Sequence, residues 1–554
     1  MSTEIEKIIS GNQKEAGEAL QVFLENNAKV FTFSELNKND KRANLWKVLF
    51  DFIGNTEASH LHVSCLAAIR ILSREKTGLN ELLTEERIEL LLQHACLTNN
   101  NVNQNAPKDY DVAAEALKCL CNIIYNSSVA VAICSKNKCI AGIMDRTKQY
   151  KDPKLPMDIK IFDMKILFLI TALCSEVRPR LKEELHGLKY LIEILEYMIP
   201  NCDQDKNEHN SDIDGYSNKS LSDSQIDLMC EILKVLFNLT VHTDKRSDID
   251  EEEEAYYMHL VTVLRNLLVS ETQDPNKRLE LHNHIINLLT NMPNSCYKEL
   301  IVPLKENSNI PKNLQYEEQN MEAIYQLFLF LKTRFTNDVT IKNQQDLLSP
   351  VLTVLLKGVN SSRIIRKYLR LNILPPLRDV HNRPEQGSTL RNHLCRLLTT
   401  PMTNVRDLIA DLLFILCKEN VGRMIKYTGY GNAAGLFAQR GLLGGGRPGE
   451  GLYSSDSENS DTEEYREHKH GINPVIGCYE PPHPSPFENM TEEQKEYEAM
   501  KLVNLMDDLT RKGIVQPCRI GEDGRPQPIE HVLQLQESLP QQIRRNISQD
   551  DSDG

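Results

Sequence analysis

The segment Leu117-Lys118-Cys119-Leu120-Cys121-Asn122-Ile123-Ile124 repeats apolar residues at helical spacing and holds an asparagine among them. Asn238, Asn266 and Asn287 stand in the same apolar setting. An amide buried in an apolar helix without partners is costly, so a recurrent one should have a hydrogen-bonding task. In stacked helical repeats that task is usually to bind a peptide along a groove. The alternative is that these amides cap helices or satisfy the core. Asn266 fits the pattern least, because it lies only 21 residues before Asn287.

Helical spacing dominates from residue 1 to about residue 430, and the alternation typical of strands is nowhere sustained. Signals such as Leu374-Pro375-Pro376 and Thr400-Pro401 divide this region into short helices. Helix pairs of roughly 40 residues are typical of armadillo and HEAT repeats, in which each repeat packs on its neighbours. The sequence therefore predicts an all-α fold with an armadillo/HEAT-like helical solenoid over residues 1–430.

The remaining organisation follows from shifts in composition. Polar insertions near 203–225 and 244–254 are most simply solvated loops, with a binding role as the alternative. Residues 431–490 are first rich in glycine and then acidic, which predicts a flexible linker. An amphipathic helix is expected at 491–513 and a mostly disordered tail at 514–554.

Two glycine-rich segments, 429–435 and 441–448, invite a nucleotide-binding interpretation that neither supports. The first is one residue too long between its last glycines and lacks a surrounding βαβ unit. In the second, Arg447 and Pro448 stand where a phosphate loop needs Lys and Ser or Thr. Both are interpreted as flexible chain leaving the solenoid, and no cofactor is expected.

Charge and cysteine usage restrict the partners and the compartment. The 554-residue chain has a net charge of -14, and residues 441–554 hold 22 acidic against 11 basic side chains. The nearly neutral body lacks the basic stripe that nucleic acid requires. Fourteen cysteines without a CxxC pair indicate a reducing compartment rather than disulfides or zinc ligands. With no signal peptide and no apolar run longer than Ile166–Leu173, we expect a cytosolic protein without an integral membrane segment.

The linker and the helix after it carry candidate sites. Ser455 and Ser460 each have a glutamate three residues later, which suits an acid-directed kinase; the alternative is an acidic linker that only solvates. Thr491-Glu492-Glu493-Gln494 has the form of a capping box, and Gly513 should end the helix that it opens. The apolar face of that helix must dock on the solenoid or on a partner. Its residues include Leu502, Met506 and Leu509, with Ala499 and Val503 beside them.

No catalytic motif stands out, and the pairs His282/His284 and His468/His470 lack companion metal ligands and are interpreted as polar surface residues. We therefore expect neither an enzyme nor a metal site. Arg70 and Arg74, four residues apart on a predicted helix, form either an exposed basic face or a clamp that holds a carboxylate. Arg378 is a further candidate of this kind.

Several strings closely resemble the synembryn family, also called resistance to inhibitors of cholinesterase, in the same order over nearly the whole chain. They are Ile69-Arg70-Ile71-Leu72-Ser73-Arg74, Leu117-Lys118-Cys119-Leu120-Cys121-Asn122, Leu374-Pro375-Pro376-Leu377-Arg378-Asp379-Val380, Gly429-Tyr430-Gly431-Asn432-Ala433-Ala434-Gly435 and Met490-Thr491-Glu492-Glu493-Gln494-Lys495. The resemblance implies an armadillo/HEAT right-handed superhelix acting as a chaperone and receptor-independent guanine-nucleotide exchange factor. Its partners would be heterotrimeric G-protein α subunits, GDP-bound or nascent and free of βγ.

The resemblance also implies the residues that bind the C-terminal helix of the α subunit. Arg70 and Arg74 would contact its terminal carboxylate region, Asn122 and Asn126 its backbone or polar side chains, and Phe168 and Arg378 lie further along the groove. Asn238 and Asn287 extend this set by the repeat argument alone. A cytoplasmic monomer recruited to the cell cortex or inner plasma-membrane surface through the α subunit is expected.

Two other classes of function remain open. A passive armadillo adaptor or scaffold for linear peptides would share the asparagines and the groove, but it would leave nucleotide release unchanged. An enzyme would need a pocket that the sequence does not indicate.

Overall fold

The computed structural model describes residues 2–10, 12–98, 109–200, 220–241, 251–304, 310–335, 343–445, 461–481 and 490–529. The contacts divide the chain into two compact units, Met1–Leu300 and Ile301–Gly554. The predicted boundary at residue 430 therefore does not coincide with the division between the units. A small antiparallel sheet at the start of unit 2, formed by β1 (Val302–Pro303), β3 (Gln319–Asn320) and β2 (Gln315–Tyr316) in that order, interrupts the helices there.

Apart from an isolated β-bridge between Leu221 and Thr272, the regular secondary structure of the described residues of unit 1 is helical. Its α-helices are α1 (Ser2–Ile9), α2 (Gln13–Asn27), α3 (Lys41–Gly54), α4 (His62–Leu72), α5 (Leu79–Leu82), α6 (Glu85–His94), α7 (Tyr110–Asn126), α8 (Ser128–Lys136), α9 (Cys139–Thr147), α10 (Met157–Leu173), α11 (Val177–Pro179), α12 (Gly187–Met198), α13 (Asp223–Thr240), α14 (Glu251–Val269) and α15 (Pro275–Asn291). Short 3-10 segments lie at Lys38–Asp40, Thr56–Leu61 and Asn294–Leu300, and a π-helical turn at Arg180–Glu184.

Five of these helices, α4, α7, α10, α13 and α15, pack on one another in succession, and we call them the ladder layer. A second set, α3, α6, α12 and α14, packs against its members. This neighbour-on-neighbour packing is that of an α-solenoid, and it confirms the all-α prediction. The handedness of the superhelix stays a prediction.

The first turns of α13 and α14 lie within the two predicted insertions. Residues 201–219 and 242–250 lie outside the described residues, but the last residues of both insertions are helical rather than loops. Ser222 and Gln225 form a capping box that opens α13, and the acidic run that begins at Glu251 is the first turn of α14. Carboxylates are favourable at this position because a helix N-terminus carries partial positive charge.

A fully buried ion pair joins α9 to α10. Arg146 donates from Nε to Asp163 Oδ2 at 2.8 Å and pairs with the second carboxylate oxygen through Nη2. Its Nη1 donates to the carbonyl oxygen of Ala95 at 2.6 Å, and the hydroxyl of Tyr150 donates to Asp163 Oδ2 at 3.1 Å. Removal of either charge would leave the other buried without compensation.

Unit 2 is also mainly helical. Its described helices are α16 (Glu322–Thr333), α17 (Gln344–Ser361), α18 (Arg363–Ile373), α19 (Leu390–Leu397), α20 (Thr403–Leu416), α21 (Val421–Thr428), α22 (Tyr430–Arg440), α23 (Glu463–His468) and α24 (Glu492–Arg511). Short 3-10 segments at Lys312–Leu314 and Lys469–Gly471 accompany two hairpins, β4 (Ile472–Asn473) with β5 (Cys478–Tyr479), and β6 (Cys518–Ile520) with β7 (Pro526–Pro528).

The prediction of a flexible linker over 431–490 is wrong for two segments. Residues 430–440 form α22, which packs on α20 and α21. Residues 461–481 fold against 377–385 and against these helices: the Thr462 hydroxyl donates to the carbonyl of Leu377, and Tyr479 N–H donates to the carbonyl of Val380. Composition missed this docking because few of the docked side chains are aliphatic.

Gly429 and Gly431, which belong to the first glycine-rich segment, allow residues 461–481 to dock closely. Gly429 has a φ of 74°, and a Cβ there would lie 3.2 Å from both the Val475 oxygen and the Ile476 carbonyl carbon. The N–H groups of Tyr430 and Gly431 donate to the carbonyls of Pro474 and Val475 at 2.8 and 2.9 Å. The N-terminus of α22 therefore binds backbone of its own chain.

The described part of the predicted tail is also partly ordered. β6 and β7 pair in an antiparallel hairpin, and Leu443 N–H donates to the carbonyl of Gly524 at 3.3 Å. The prediction of disorder is therefore wrong for residues 518–528, and residues 530–554 lie outside the described residues.

Candidate functional site

The asparagines of the ladder layer bind backbone of the preceding helix. Asn122 Nδ2 donates to the carbonyl of Arg70 at 3.1 Å, and Asn126 Nδ2 donates to the carbonyl of Ser73 at 3.0 Å. These acceptors lie at the C-terminal end of α4, where helix carbonyls lack partners within the helix. The amide donors predicted to bind a partner's backbone are thus used within the chain.

The same contact recurs further along the layer. Asn238 Nδ2 donates to the carbonyl of Phe168 at 3.2 Å and to Thr171 Oγ1 at 2.9 Å, at the end of α10. Asn291 Nδ2 donates to the carbonyl of Phe237 and to Thr240 Oγ1, both at 3.1 Å, at the end of α13. Asn291 was missed in the sequence, although it follows Asn287 by four residues as Asn126 follows Asn122.

Asn287 and Asn266 stand apart from this set. The Asn287 side chain is half-buried and makes no hydrogen bond within the described residues. Asn266 lies on α14, outside the ladder layer, where its Oδ1 accepts hydrogen bonds from Nε and Nη2 of Arg265. Asn266, which fits the repeat spacing least, therefore also differs in structure from the ladder asparagines.

The oxygens of two ladder amides remain available. Oδ1 of Asn122 and Oδ1 of Asn126 accept no hydrogen bond from the described residues, and neither oxygen is among the buried unsatisfied atoms. An amide with its N–H₂ held and its oxygen accessible can accept a hydrogen bond from a peptide N–H.

Arg70 and Arg74 come together at the end of α4, but not on one helix face as predicted. The helix ends at Leu72, and Arg74 lies beyond its C-cap, Ser73. Burial, and then the positive charge of nearby Arg70, lowers the pKa of the Arg74 guanidinium. Two like charges in one place favour an anionic ligand.

The guanidinium groups of Arg70 and Arg74 differ in the hydrogen bonds that they make within the chain. Arg74 Nη1 donates to the carbonyls of Ala28 and Val30 at 2.8 and 3.2 Å, and its guanidinium lies 5.2 Å from the ring centroid of Phe31. Arg70 donates only from Nε, to Glu115 Oε2 at 3.0 Å. Both Nη groups of Arg70 are without hydrogen bonds among the described residues. Arg70 can therefore bind a carboxylate without giving up a contact, whereas Arg74 has a structural task.

Cations and aromatic rings alternate across the layer. Glu115 bridges Arg70 to Lys118, whose Nζ lies 5.7 Å from the Phe162 ring centroid. Lys165 Nζ lies 4.9 Å from the same ring. On the next helix, Lys234 Nζ lies 5.5 Å from the ring centroid of Phe168 and pairs with Glu231 at 2.8 Å. We call this set of side chains the cationic strip, and it has more basic than acidic groups. Its members are Arg70, Glu115, Lys118, Phe162, Lys165, Phe168, Glu231 and Lys234.

Large apolar side chains are exposed at the ends of the same helices. Tyr125 is 69% exposed on the last turn of α7, and Leu173 is 53% exposed at the end of α10. Phe31, beneath Arg74, is 65% exposed. A basic surface with exposed apolar groups suits an amphipathic peptide that ends in a carboxylate.

Arg378, a further candidate from the sequence, lies in unit 2. It is exposed and lines a small cavity with Pro375, Pro376, Leu390 and Arg391. Neither arginine makes a hydrogen bond within the described residues.

The C-terminal helix α24 spans Glu492–Arg511. Thr491 and Gln494 form the capping box, and Gly513, with a φ of 67°, follows the helix end. Ile514 N–H donates to the carbonyl of Leu509, and Gly513 N–H to that of Thr510, which is a Schellman cap. No residue of α24 is buried: Leu502 is 61% exposed and Met506 39% exposed, while Leu509 is half-buried.

Other predicted sites have mixed outcomes. Ser455 and Ser460 lie outside the described residues. His282, predicted at the surface, is instead buried, and its Nε2 lies 3.1 Å from the carbonyl oxygen of Leu268. His284 lies beside Cys230 and Glu280 in a group that could hold a metal ion, which sequence spacing could not indicate because Cys230 is on another helix.

Among the described residues, no single helix is long and apolar enough to cross a bilayer. Helices α7 and α8, bent by 118° at their junction, have the length and composition of a span only when taken together.

Comparison with known proteins places the chain in a family. A family model described as "Guanine nucleotide exchange factor synembryn" matches residues 65–525. Chaperone Ric-8 of Drosophila pseudoobscura pseudoobscura is 40% identical over 580 residues, which cover 98% of this chain and 99% of that protein. Chaperone Ric-8A of Danio rerio is 41% identical over 540 residues, with 96% of each chain covered. Chaperone Ric-8A of Rattus norvegicus is 38% identical over 551 residues, covering 98% of each.

Proposed function

The chain belongs to the synembryn family of chaperones and guanine-nucleotide exchange factors for G-protein α subunits, and from that premise we propose that it acts by seating the α subunit's C-terminal helix on the ladder layer. The observation that carries this proposal is the pair of uncommitted Nη groups on Arg70, next to a backbone carbonyl that Asn122 already holds. Arg70 would bind the terminal carboxylate in bidentate fashion. The free oxygens of Asn122 and Asn126 would accept the last peptide N–H groups.

We call the surface that would bind the C-terminal helix of the α subunit the seat, and further side chains of the ladder layer complete it. Phe168 and the cationic strip would contact the apolar and acidic faces of the bound helix, and the exposed Tyr125 and Leu173 would cover its apolar side. Asn238 has its amide donors bound within the chain, so its role in this seat is to position Phe168 rather than to touch the partner.

Exchange then follows from differential binding. If the C-terminal helix is bound only after it leaves its place on the GTPase domain, the factor favours the opened, nucleotide-free state, and a nucleotide that favours the closed state expels it. A preference of about 10⁴-fold, or about 5.5 kcal/mol, inverts a 1:99 population. The same grip would cover apolar surface on a nascent subunit, which is the chaperone activity.

The exposed helix α24 supplies a second contact. Its Leu502, Met506 and Leu509 would bind the loosened GTPase domain, because an apolar face that no described residue buries is suited to helix-in-groove recognition. A tethered second contact raises the effective concentration once the first is made.

The proposal also includes phosphorylation and a cellular location. An acid-directed kinase would modify Ser455 and Ser460, close to Asp461, which Lys426 holds at 2.6 Å. The protein would act as a cytoplasmic monomer on α subunits free of βγ, and it would reach the cortex or inner plasma-membrane surface through them. No catalytic site of its own is needed for exchange.

The test is GDP release from purified α subunits. We expect the wild-type chain to accelerate release, and Arg70→Ala to reduce its affinity for the α subunit by about 10- to 150-fold, since a charged hydrogen bond contributes about 1.5–3 kcal/mol. Arg180→Ala is the matched control, because Arg180 is a half-exposed arginine of unit 1 outside the ladder layer. Unchanged GDP release with every class of α subunit would instead favour a passive adaptor.

An α subunit truncated by its last residues gives the complementary experiment. Its affinity for the wild-type chain should fall to that of full-length α subunit for Arg70→Ala. Equal binding of truncated and full-length α subunits would overturn the proposed seat.

A further inference from the structure

Helices α13 and α15 lie side by side in a fixed register. At their C-terminal ends Asn291 donates to the carbonyl of Phe237, a partner 54 residues earlier in the chain. Two turns before this contact, the same separation of 54 residues pairs His284 with Cys230. The register that places the ladder asparagine therefore also brings a thiol and an imidazole together across the two helices.

Glu280 completes the group, because it precedes His284 by one helical turn. The Cys230 sulfur, a Glu280 carboxylate oxygen and a His284 ring nitrogen all lie within 4.8 Å of one another. Cys230 is buried, His284 is half-buried and Glu280 is exposed, so the group opens to solvent on one side. Neither Cys230 nor His284 makes a hydrogen bond within the described residues, which leaves both side chains available as ligands.

We propose that Cys230, Glu280 and His284 bind one Zn²⁺ ion. Thiolate, imidazole and carboxylate are the ligands that zinc takes in proteins, at about 2.0–2.3 Å from the metal, and a water molecule would fill the fourth tetrahedral position at the open side. Ligation by Cys230 requires the thiolate, so its proton is released to solvent as the metal binds.

Two lysines lie nearby and both are already paired. Lys277 Nζ bonds to Asp227 at 2.5 Å and to Glu280 at 3.2 Å, and Lys234 pairs with Glu231 at 2.8 Å. The three carboxylates outnumber the two ammonium groups before the thiol loses its proton. On metal binding Lys277 keeps Asp227 as its partner while Glu280 turns to the ion.

Zinc at this place would join α13 to α15 at a second point, two turns from Asn291. Because a metal that binds only the folded state stabilises it by mass action, zinc would raise the thermal stability of the chain. The site lies on the helix pair next to the Phe168 end of the cationic strip, and Lys234 lies near both.

The test uses cobalt as a spectroscopic substitute for zinc in the full-length, tag-free chain. A Cys202→Ser/Cys518→Ser background removes one thiol outside the described residues and one exposed thiol, so that the signal reports the buried and half-buried cysteines. We expect one Co²⁺ per chain, with a thiolate-to-cobalt charge-transfer band in the near ultraviolet that Zn²⁺ abolishes by displacement. Zn²⁺ should also raise the melting temperature, and a chelator should reverse the rise.

Variants decide whether this group is the site. Cys230→Ala should remove the charge-transfer band, and His284→Gln should weaken Zn²⁺ binding by more than about 100-fold, the upper range for loss of an outer-shell partner. Cys65→Ala, a buried cysteine distant in sequence, is the control that should keep both signals. Far-ultraviolet circular dichroism without metal separates loss of ligation from loss of folding. A band that survives in folded Cys230→Ala, or zinc affinity unchanged in His284→Gln, would overturn the assignment.

Discussion

The side-chain amide nitrogen of Asn238 lies 3.2 Å from the carbonyl oxygen of Phe168 and donates to it. A residue whose apolar setting predicted peptide binding therefore binds the backbone of its own preceding repeat. The equivalent bonds of Asn122, Asn126 and Asn291 extend this contact along the ladder layer. In the proposed seat, the Arg70 guanidinium and the amide oxygens of Asn122 and Asn126 would bind the partner.

Loss of a ladder amide should destabilise unit 1. Asn238→Ala removes the donor to Phe168 and Thr171, and we expect the free energy of unfolding to fall by about 1–3 kcal/mol, because two hydrogen bonds of a buried side chain are lost. Asn287→Ala is the control, since Asn287 is half-buried without such a bond, and it should change stability by less than about 0.5 kcal/mol. Urea denaturation followed by circular dichroism measures both. Equal losses for the two variants would show that the amide bonds do not contribute to stability.

The two arginines of the proposed seat should separate function from folding. Arg70→Ala should weaken α-subunit binding while the melting temperature stays within about 1–2 °C of wild type, because only Nε is committed. Arg74→Ala should lower both, since it also removes the bonds to the carbonyls of Ala28 and Val30. Calorimetric binding and thermal scans of the same samples measure the two effects. A large drop in the melting temperature of Arg70→Ala would assign that residue a structural task.

Stability should fall in mild acid partly through His282. Burial, and then the nearby charge of Arg278, lowers the pKa of His282 from 6.5 to about 4. Between these values the unfolded chain binds the proton and the folded chain does not, so stability rises with pH across the window and is lost as pH falls through it. The full effect is at most about 3 kcal/mol. His282→Gln should flatten this part of the profile of unfolding free energy against pH, and an unchanged slope between pH 4 and 6.5 would contradict the assignment.

The docked segment 461–481 depends on Gly429. Gly429→Ala adds a Cβ about 3.2 Å from backbone atoms of Val475 and Ile476 at a φ of 74°, so we expect the hairpin β4–β5 to detach and its amides to exchange faster with deuterium. Gly435→Ala is the control in the same helix, because no atom lies within 4 Å of its added Cβ. It should stabilise α22 by up to about 1 kcal/mol. Protection unchanged in Gly429→Ala would mean that the approach to Val475 does not hold the hairpin.

The sequence predicts the helices and caps that depend on neighbouring residues. It does not predict hydrogen bonds between residues that lie far apart in the chain. The helices, the capping box at Thr491 and the stop at Gly513 all follow from residues within a few positions of one another. The acceptor of Asn238 lies 70 residues earlier, and Gly431 meets Val475 across a stretch that looks like linker, so neither contact leaves a local pattern. Asn291 is the exception, since its four-residue spacing from Asn287 repeats that of Asn122 and Asn126 and could have indicated it.

The apolar face of α24 should act on the partner and not on the fold. Leu502→Glu places a charge on a side chain that is 61% exposed and buried against nothing in the described residues, so the melting temperature should not change. If that face binds the α subunit, losing a buried leucine contact of about 1.5–3 kcal/mol should weaken affinity by about 10- to 150-fold. Asn504→Glu introduces the same charge in the same helix on an exposed polar position, and it should leave affinity near wild type. The measurement is the affinity of both variants for full-length α subunit. Equal effects would mean that charge rather than the apolar face decides binding. No effect in either variant would leave α24 without a role in the complex.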